Sequence, residues 1–248
     1  MLFLAFATLQ IASTIPPNYL FDHAEVLSTQ FPSADMGLEF EHKIPHGDAD
    51  IYLDYKVMSD NLIQVSYQLN RDTEANPLQY RYQYHIHSNP DGSSDMEAIG
   101  ILRPNTFYVS EEAQIKTNKP GLIHYPSTMK VGTTLPDATF NYTIVSPNVE
   151  FVHAGEVLER KVLKSFTATY KGQQLKGHII SAKVISEASL NNNPFQQTTT
   201  LLKEWFVPGL GMVKQERRID TQPIGFVDNH KKQEELETTT LKNLKLNL

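Results

Sequence analysis

Residues 79–87 read QYRYQYHIH, so that Tyr80, Tyr82, Tyr84 and Ile86 alternate with Arg81, Gln83, His85 and His87. Successive side chains of an extended chain point to opposite faces, so a strict period of two suits a half-buried strand and leaves a helix without an apolar stripe. The same period recurs upstream. Leu38, Phe40, His42 and Ile44 alternate with Glu39, Glu41 and Lys43, and Ile51, Leu53, Tyr55 and Val57 alternate with Tyr52, Asp54, Lys56 and Met58. Ile63, Val65, Tyr67 and Leu69 follow, alternating with Gln64, Ser66 and Gln68. Turn chemistry at Pro45-His46-Gly47-Asp48 and at Ser59-Asp60-Asn61 joins these runs into an antiparallel meander with one wet face.

Strand patterns continue at residues 96–102, 106–110, 121–125, 140–145 and 149–153, and again at 157–170, 177–185, 198–206, 212–220 and 238–248. The turns expected between them are Asn89-Pro90-Asp91-Gly92, Ala154-Gly155, Lys171-Gly172 and Pro208-Gly209-Leu210-Gly211, with polar loops at 191–194 and 220–235. A short helix is expected only around residues 22–29. Many short antiparallel strands must curl or close to protect their edges. The expected fold is therefore all-β, a strongly curved antiparallel sheet or incomplete barrel of about ten to twelve strands, forming a single domain over residues 18–248. Its concave face is expected to carry Phe40, Leu53, Val65, Tyr82, Phe140, Phe166 and Trp205.

Composition removes several kinds of function. The 248-residue chain has no cysteine, which excludes disulfides, thiolate nucleophiles and cysteine-bound metal clusters. A net charge of −6 argues against a nucleic-acid partner. No apolar run approaches the roughly eighteen residues of a membrane-spanning helix. Residues 1–14, MLFLAFATLQIAST, have the apolar length and small-residue ending of a secretory signal, although the first basic residue is Lys43. An extracytoplasmic location is expected.

Candidate chemistry is sparse. His85 and His87, two apart on one strand, project from the same face and are weak metal candidates, with Arg81 and Gln83 in line beside them. Asp48 and Asp50 beside Gly47, and the carboxylates of 91–95 around Gly92, resemble turn aspartates more than a calcium loop. No G-x-S-x-G, H-E-x-x-H or phosphate-cradling glycine loop occurs, so no catalytic residue and no cofactor is assigned. Tyr80, Tyr82 and Tyr84 form an aromatic stripe that either fills the core or lines a pocket, and Trp205 is the other aromatic candidate for ligand contact.

Three stretches together resemble a known family. They are QFPSADMGLEFEHK at 30–43, GLIHYPSTMKVGTTLPD at 121–137 and EWFVPGLGMVKQER at 204–217. Their order and spacing are similar to those of TapB-like proteins, which are related to a bacterial domain family of unknown function found mainly in exported proteins. The glycine-and-alanine element that such proteins carry between the second and third stretches is absent from FTATYKGQQLKG at 166–177. The resemblance implies a β-rich exported bacterial protein and supplies no catalytic residues. Three functions stay open: a protein binding an apolar or amphiphilic ligand or an envelope protein partner, an assembly component acting through sheet edges, and a hydrolase whose site is built from distant strands.

Overall fold

The computed structural model describes residues 30–32, 34–45, 47–59, 62–71, 78–102, 114–146, 149–224 and 233–247. The signal-like segment, the helix expected at 22–29 and the strand expected at 106–110 lie outside the described residues. The described chain forms Met36–Ile44 (β1), Gly47–Ser59 (β2), Leu62–Arg71 (β3), Leu78–Ser88 (β4), Ser94–Leu102 (β5), Gln114–Pro120 (β6) and Ile123–Tyr125 (β7). It continues with Ala138–Ser146 (β8), Val149–Tyr170 (β9), Gln173–Leu190 (β10), Asn193–Val207 (β11), Gly211–Pro223 (β12), Gln233–Leu241 (β13) and Leu244–Asn247 (β14).

These make one antiparallel sheet of 14 strands in the order β6-β8-β9-β10-β11-β12-β13-β1-β2-β3-β4-β5-β7, with β14 added beside β9. The sheet curls without closing, as the alternation requires, but it has more strands than the ten to twelve expected from pattern. The additions are β6, where no strand was expected, and the closing segment, which divides into β13 and β14; elsewhere the boundaries shift without adding strands. Asn193 already belongs to β11, because Asn191 and Asn192 take φ of 49° and 64° and complete a two-residue hairpin turn. Lys171 and Gly172 make the same kind of turn between β9 and β10, with φ of 49° and 83°. The closing segment bends at Lys242-Asn243, so β13 pairs with β1 while β14 crosses to β9.

Ala154-Gly155 is not a turn, contrary to the expectation from sequence. Both residues lie inside β9, which runs unbroken for 22 residues. Gly155 sits opposite Phe140, and a Cβ at Gly155 would come within 2.6 Å of the Phe140 ring. Gly177 on β10 repeats the device opposite Phe166. In each case the ring lies over the bare backbone of its cross-strand partner, so glycine here serves packing within a strand rather than chain reversal.

The long free side of β9 is covered by three separate segments. β8 pairs with its first part, from Val149 to Val157. The stretch 132–135 covers the middle: the amides of Gly132 and Leu135 donate to the carbonyls of Val162 and Arg160, and the Val162 amide donates to Thr133. β14 then pairs with residues from Thr167 to Tyr170. The second motif stretch is thereby strapped against β9.

Phe40, Leu53, Val65, Phe140, Phe166 and Trp205 are all buried; the Tyr82 side chain lies outside the described residues. Trp205, Phe206 and Val207 are buried in succession. The register shifts at Trp205/Phe206 and at Ile179/Ile180 place the extra residue in the partner strands, Val213 on β12 and Leu163 on β9, so the alternation along β11 continues. Adjacent side chains on a strand leave opposite faces, so Trp205 and Phe206 bury themselves on different sides.

Candidate ligand-binding cavity

Against the inner face of the curled sheet lies a cavity of about 70 Å³, partly open to solvent. Its walls are largely apolar, with Leu53, Val65, Ile86, Val157, Val184 and Met212 among them. At ~15 Å³ for each water it would hold roughly five, well short of the several hundred Å³ that encloses a drug-sized molecule. It can take a small ligand or the end of a larger one.

The three motif stretches converge here. The first contributes Phe31, the second Tyr125, and the third Glu204, Phe206 and Met212. Tyr125 and Phe206 stack with ring centroids 4.8 Å apart, and Phe31 meets both edge-on at 5.2 and 5.4 Å. The amide of Gly209 donates to the carbonyl of Gln30, and the Gln30 side chain donates to the carbonyl of Ser127, so the stretches also hold one another.

Five polar groups interrupt the apolar wall: Tyr55, Tyr84, Tyr125, Arg160 and Glu204. Arg160 is only 3% exposed. It is placed by β9 just after Glu159, which takes φ of 54° and turns the strand locally. Its Nη1 donates to the carbonyls of His124 at 2.9 Å and Pro136 at 3.0 Å, and its guanidinium lies 5.3 Å over the Tyr125 ring. Among the described residues no cation lies within ion-pair distance of Glu204. Its Oε1 accepts a long 3.4 Å bond from the Tyr125 hydroxyl. Desolvation by the cavity wall raises its pKa to about 7, against a partial pull downward from Arg160. Burial also pushes the Tyr55 and Tyr125 hydroxyls up, so both stay protonated donors.

The raised Glu204 pKa has a consequence for stability. Between the usual glutamate value of 4.5 and about 7 the folded chain holds a proton that the unfolded chain has released, so this contribution is complete below 4.5 and is lost as pH rises through 7. His153, hydrogen-bonded to Tyr142 and pushed by burial to about 3, acts in the opposite sense: its contribution is lost as pH falls below 6.5. Glu204→Gln removes the first effect only. From pH 5 to pH 8 the variant should gain about 1–3 kcal/mol relative to the native chain, read by urea unfolding at each pH. A constant difference would show that Glu204 is an ordinary solvated carboxylate.

The sequence candidates fall unevenly on this geometry. Tyr84 lines the cavity. Tyr80 and Tyr82 lie on β4 four and two residues before it, and their side chains are outside the described residues. Trp205 is buried but turned away from the cavity, with the Lys214 ammonium 4.3 Å above its ring. His85 and His87 have ring centroids 6.0 Å apart, and no group of three or more His, Asp or Glu among the described residues is arranged to hold a metal ion. Carboxylates of the 89–95 turn are occupied: Asp91 accepts from Ser93, and Asp95 accepts from Asn89 and pairs with His124 at 2.8 Å. Asp50 is taken by Lys242 at 2.9 Å. Tyr125 and Glu204 belong to the motif stretches but were not assigned as site residues, and neither were Arg160 and Tyr55. The signal was present for Glu204, which shares the inward parity of Thr198, Thr200 and Leu202.

No family model matches the sequence, and no curated protein matches it. Two solved structures share the fold. One is a Bacteroides fragilis protein described as exported and YmcC-like in fold, with TM-score 0.50 and 12% identity over 87% of this chain and 98% of that one. The other is a Parabacteroides distasonis protein described as a lipoprotein, with TM-score 0.52 and 12% identity over 88% of this chain and 98% of that one.

Proposed function

We propose that this chain is an exported bacterial β protein that binds a small amphiphilic ligand in the cavity between Arg160 and Glu204. Export is supported by the signal-like residues 1–14 and by the descriptions of the two proteins that share the fold. Binding is supported chiefly by one observation: a small apolar cavity with a buried guanidinium and a desolvated carboxyl in its wall, neither neutralised by a close ion pair. Buried charge is costly unless something in the cavity solvates it. The TapB-like resemblance fits the same reading, since its three stretches supply the cavity's aromatic and acidic wall.

Filling the cavity tests this directly. Ala182, which lines it, can be replaced by methionine. Ligand-observed NMR with butan-1-ol, benzyl alcohol, butyrate and benzoate should detect binding to the native chain that weakens at least tenfold in Ala182→Met, with the fold retained. Binding of no probe, or equal binding to both chains, would overturn the reading.

A second reading, acid–base catalysis, is favoured by Glu204 titrating near neutrality beside two tyrosines. Among the described lining residues there is no serine, lysine or histidine nucleophile, so turnover would have to run through Glu204 and water. Conversion of a bound probe, abolished by Glu204→Gln, would favour this reading over simple binding.

A further inference from the structure

We infer that the cavity is built for a monocarboxylate head, held by Arg160 and Tyr55 and by Glu204 in its protonated form. This deepens the binding reading above and depends on it.

The polar groups in the wall offer donors and almost no free acceptor. Nη1 of Arg160 is spent on the carbonyls of His124 and Pro136, while among the described residues no acceptor meets Nε or Nη2. Tyr55 is buried, and its hydroxyl makes no hydrogen bond to a described residue. Glu204 accepts only from Tyr125, at a length that marks a weak bond. When Glu204 carries its proton, the cavity holds a net charge of +1 and an O–H that must donate. A carboxylate supplies what is missing: one negative charge, two oxygens and about four acceptor sites in a plane that suits a guanidinium. An alcohol or amide leaves the Arg160 charge unneutralised. A phosphate brings a second charge near neutrality, for which the cavity has no second cation.

The groups facing Glu204 are few. Arg160 comes from β9, Tyr125 from β7, Tyr55 from β2 and Tyr84 from β4. Its cross-strand neighbours are Ile180 on β10 and the uncharged Gln215 on β12. Arg217, two residues beyond Gln215, is already paired with Glu237. Ionised Glu204 would therefore face a bound carboxylate with only the Arg160 charge between them, and the ligand should leave as Glu204 loses its proton.

Titration calorimetry with butyrate and benzoate, both ionised from pH 6 to 8, against butan-1-ol, butanamide and benzyl alcohol tests the inference. At pH 6 the acids should bind at least tenfold more tightly than the matched neutral compounds. Their affinity should fall about tenfold between pH 6 and pH 8, because binding needs the proton that Glu204 loses near 7. Glu204→Gln, whose amide donates at any pH, should keep the acids bound and reduce that change to under about twofold. Tyr55→Phe should weaken the acids several-fold and leave the alcohols unchanged. Alcohols that bind as well as acids, and lose binding in Ala182→Met, would overturn the carboxylate and leave the ligand cavity standing. A pH dependence that survives in Glu204→Gln would overturn the role of Glu204. Failure of every probe would remove both readings.

Discussion

Replacing Gly177 by valine is expected to lower the free energy of unfolding by about 3 kcal/mol, near the upper end of what overpacking an interior costs. A Cβ at this position would stand 2.4 Å from the carbonyl oxygen of Phe206 and 2.7 Å from the ring of Phe166. The ring can turn aside. The carbonyl belongs to β11, which is held by β10 on one side and β12 on the other, so the backbone cannot move without disturbing both ladders. Gly37 provides the contrast: it is also in a strand, but a Cβ there meets nothing within 4 Å. Gly37→Val should change stability by less than about 0.5 kcal/mol, because valine suits an open strand position. Urea unfolding followed by Trp205 fluorescence compares the two, and equal midpoints would contradict the packing argument.

Arg160→Met should cost about 3 kcal/mol or more, for a different reason. The thioether fills much of the arginine's volume but leaves the carbonyls of His124 and Pro136 without their side-chain donor, at about 1–3 kcal/mol each when buried. It also removes the cation that moderates Glu204, whose pKa should rise further. The effect should be local as well as global: proteolysis or hydrogen exchange should increase in residues 130–137, which Arg160 helps to fasten against β9. Arg160→Lys should recover part of the stability, since an ammonium can reach one carbonyl but lacks the planar fork. If Arg160→Met unfolds at the native midpoint, Arg160 does not anchor that stretch.

The sheet was legible in the sequence because alternation dictates which side chains can share a face, and Phe40, Leu53 and Val65 are buried as their parity demands. Legibility failed where local chemistry has two meanings. Ala154-Gly155 has the composition of a turn, yet the partner ring of Phe140 makes it the middle of a strand, and that partner is known only from the register. Asn191 to Pro194 reads as a four-residue polar loop, but two left-handed residues shorten it to a two-residue hairpin turn. The candidate cavity was hidden for a third reason. Parity along β11 runs unbroken from Thr198 through Glu204 to Phe206, but the large ring of Trp205 draws the concave assignment to the opposite face. Arg160 could not be found by period at all, since the left-handed Glu159 just before it resets the alternation.

The sheathing of β9 by three distant segments also sets an order of events. No single hairpin can complete that strand: residues 132–135 pair with it across the intervening β8, and β14 reaches it only after β10 to β13. Contacts of such sequence separation close slowly, on the scale of about milliseconds to seconds. Until they do, β9 keeps an unpaired edge, and Arg160 stays without the carbonyls of His124 and Pro136. The buried seat of Arg160 is thus gained only once residues 124–136 have docked against β9.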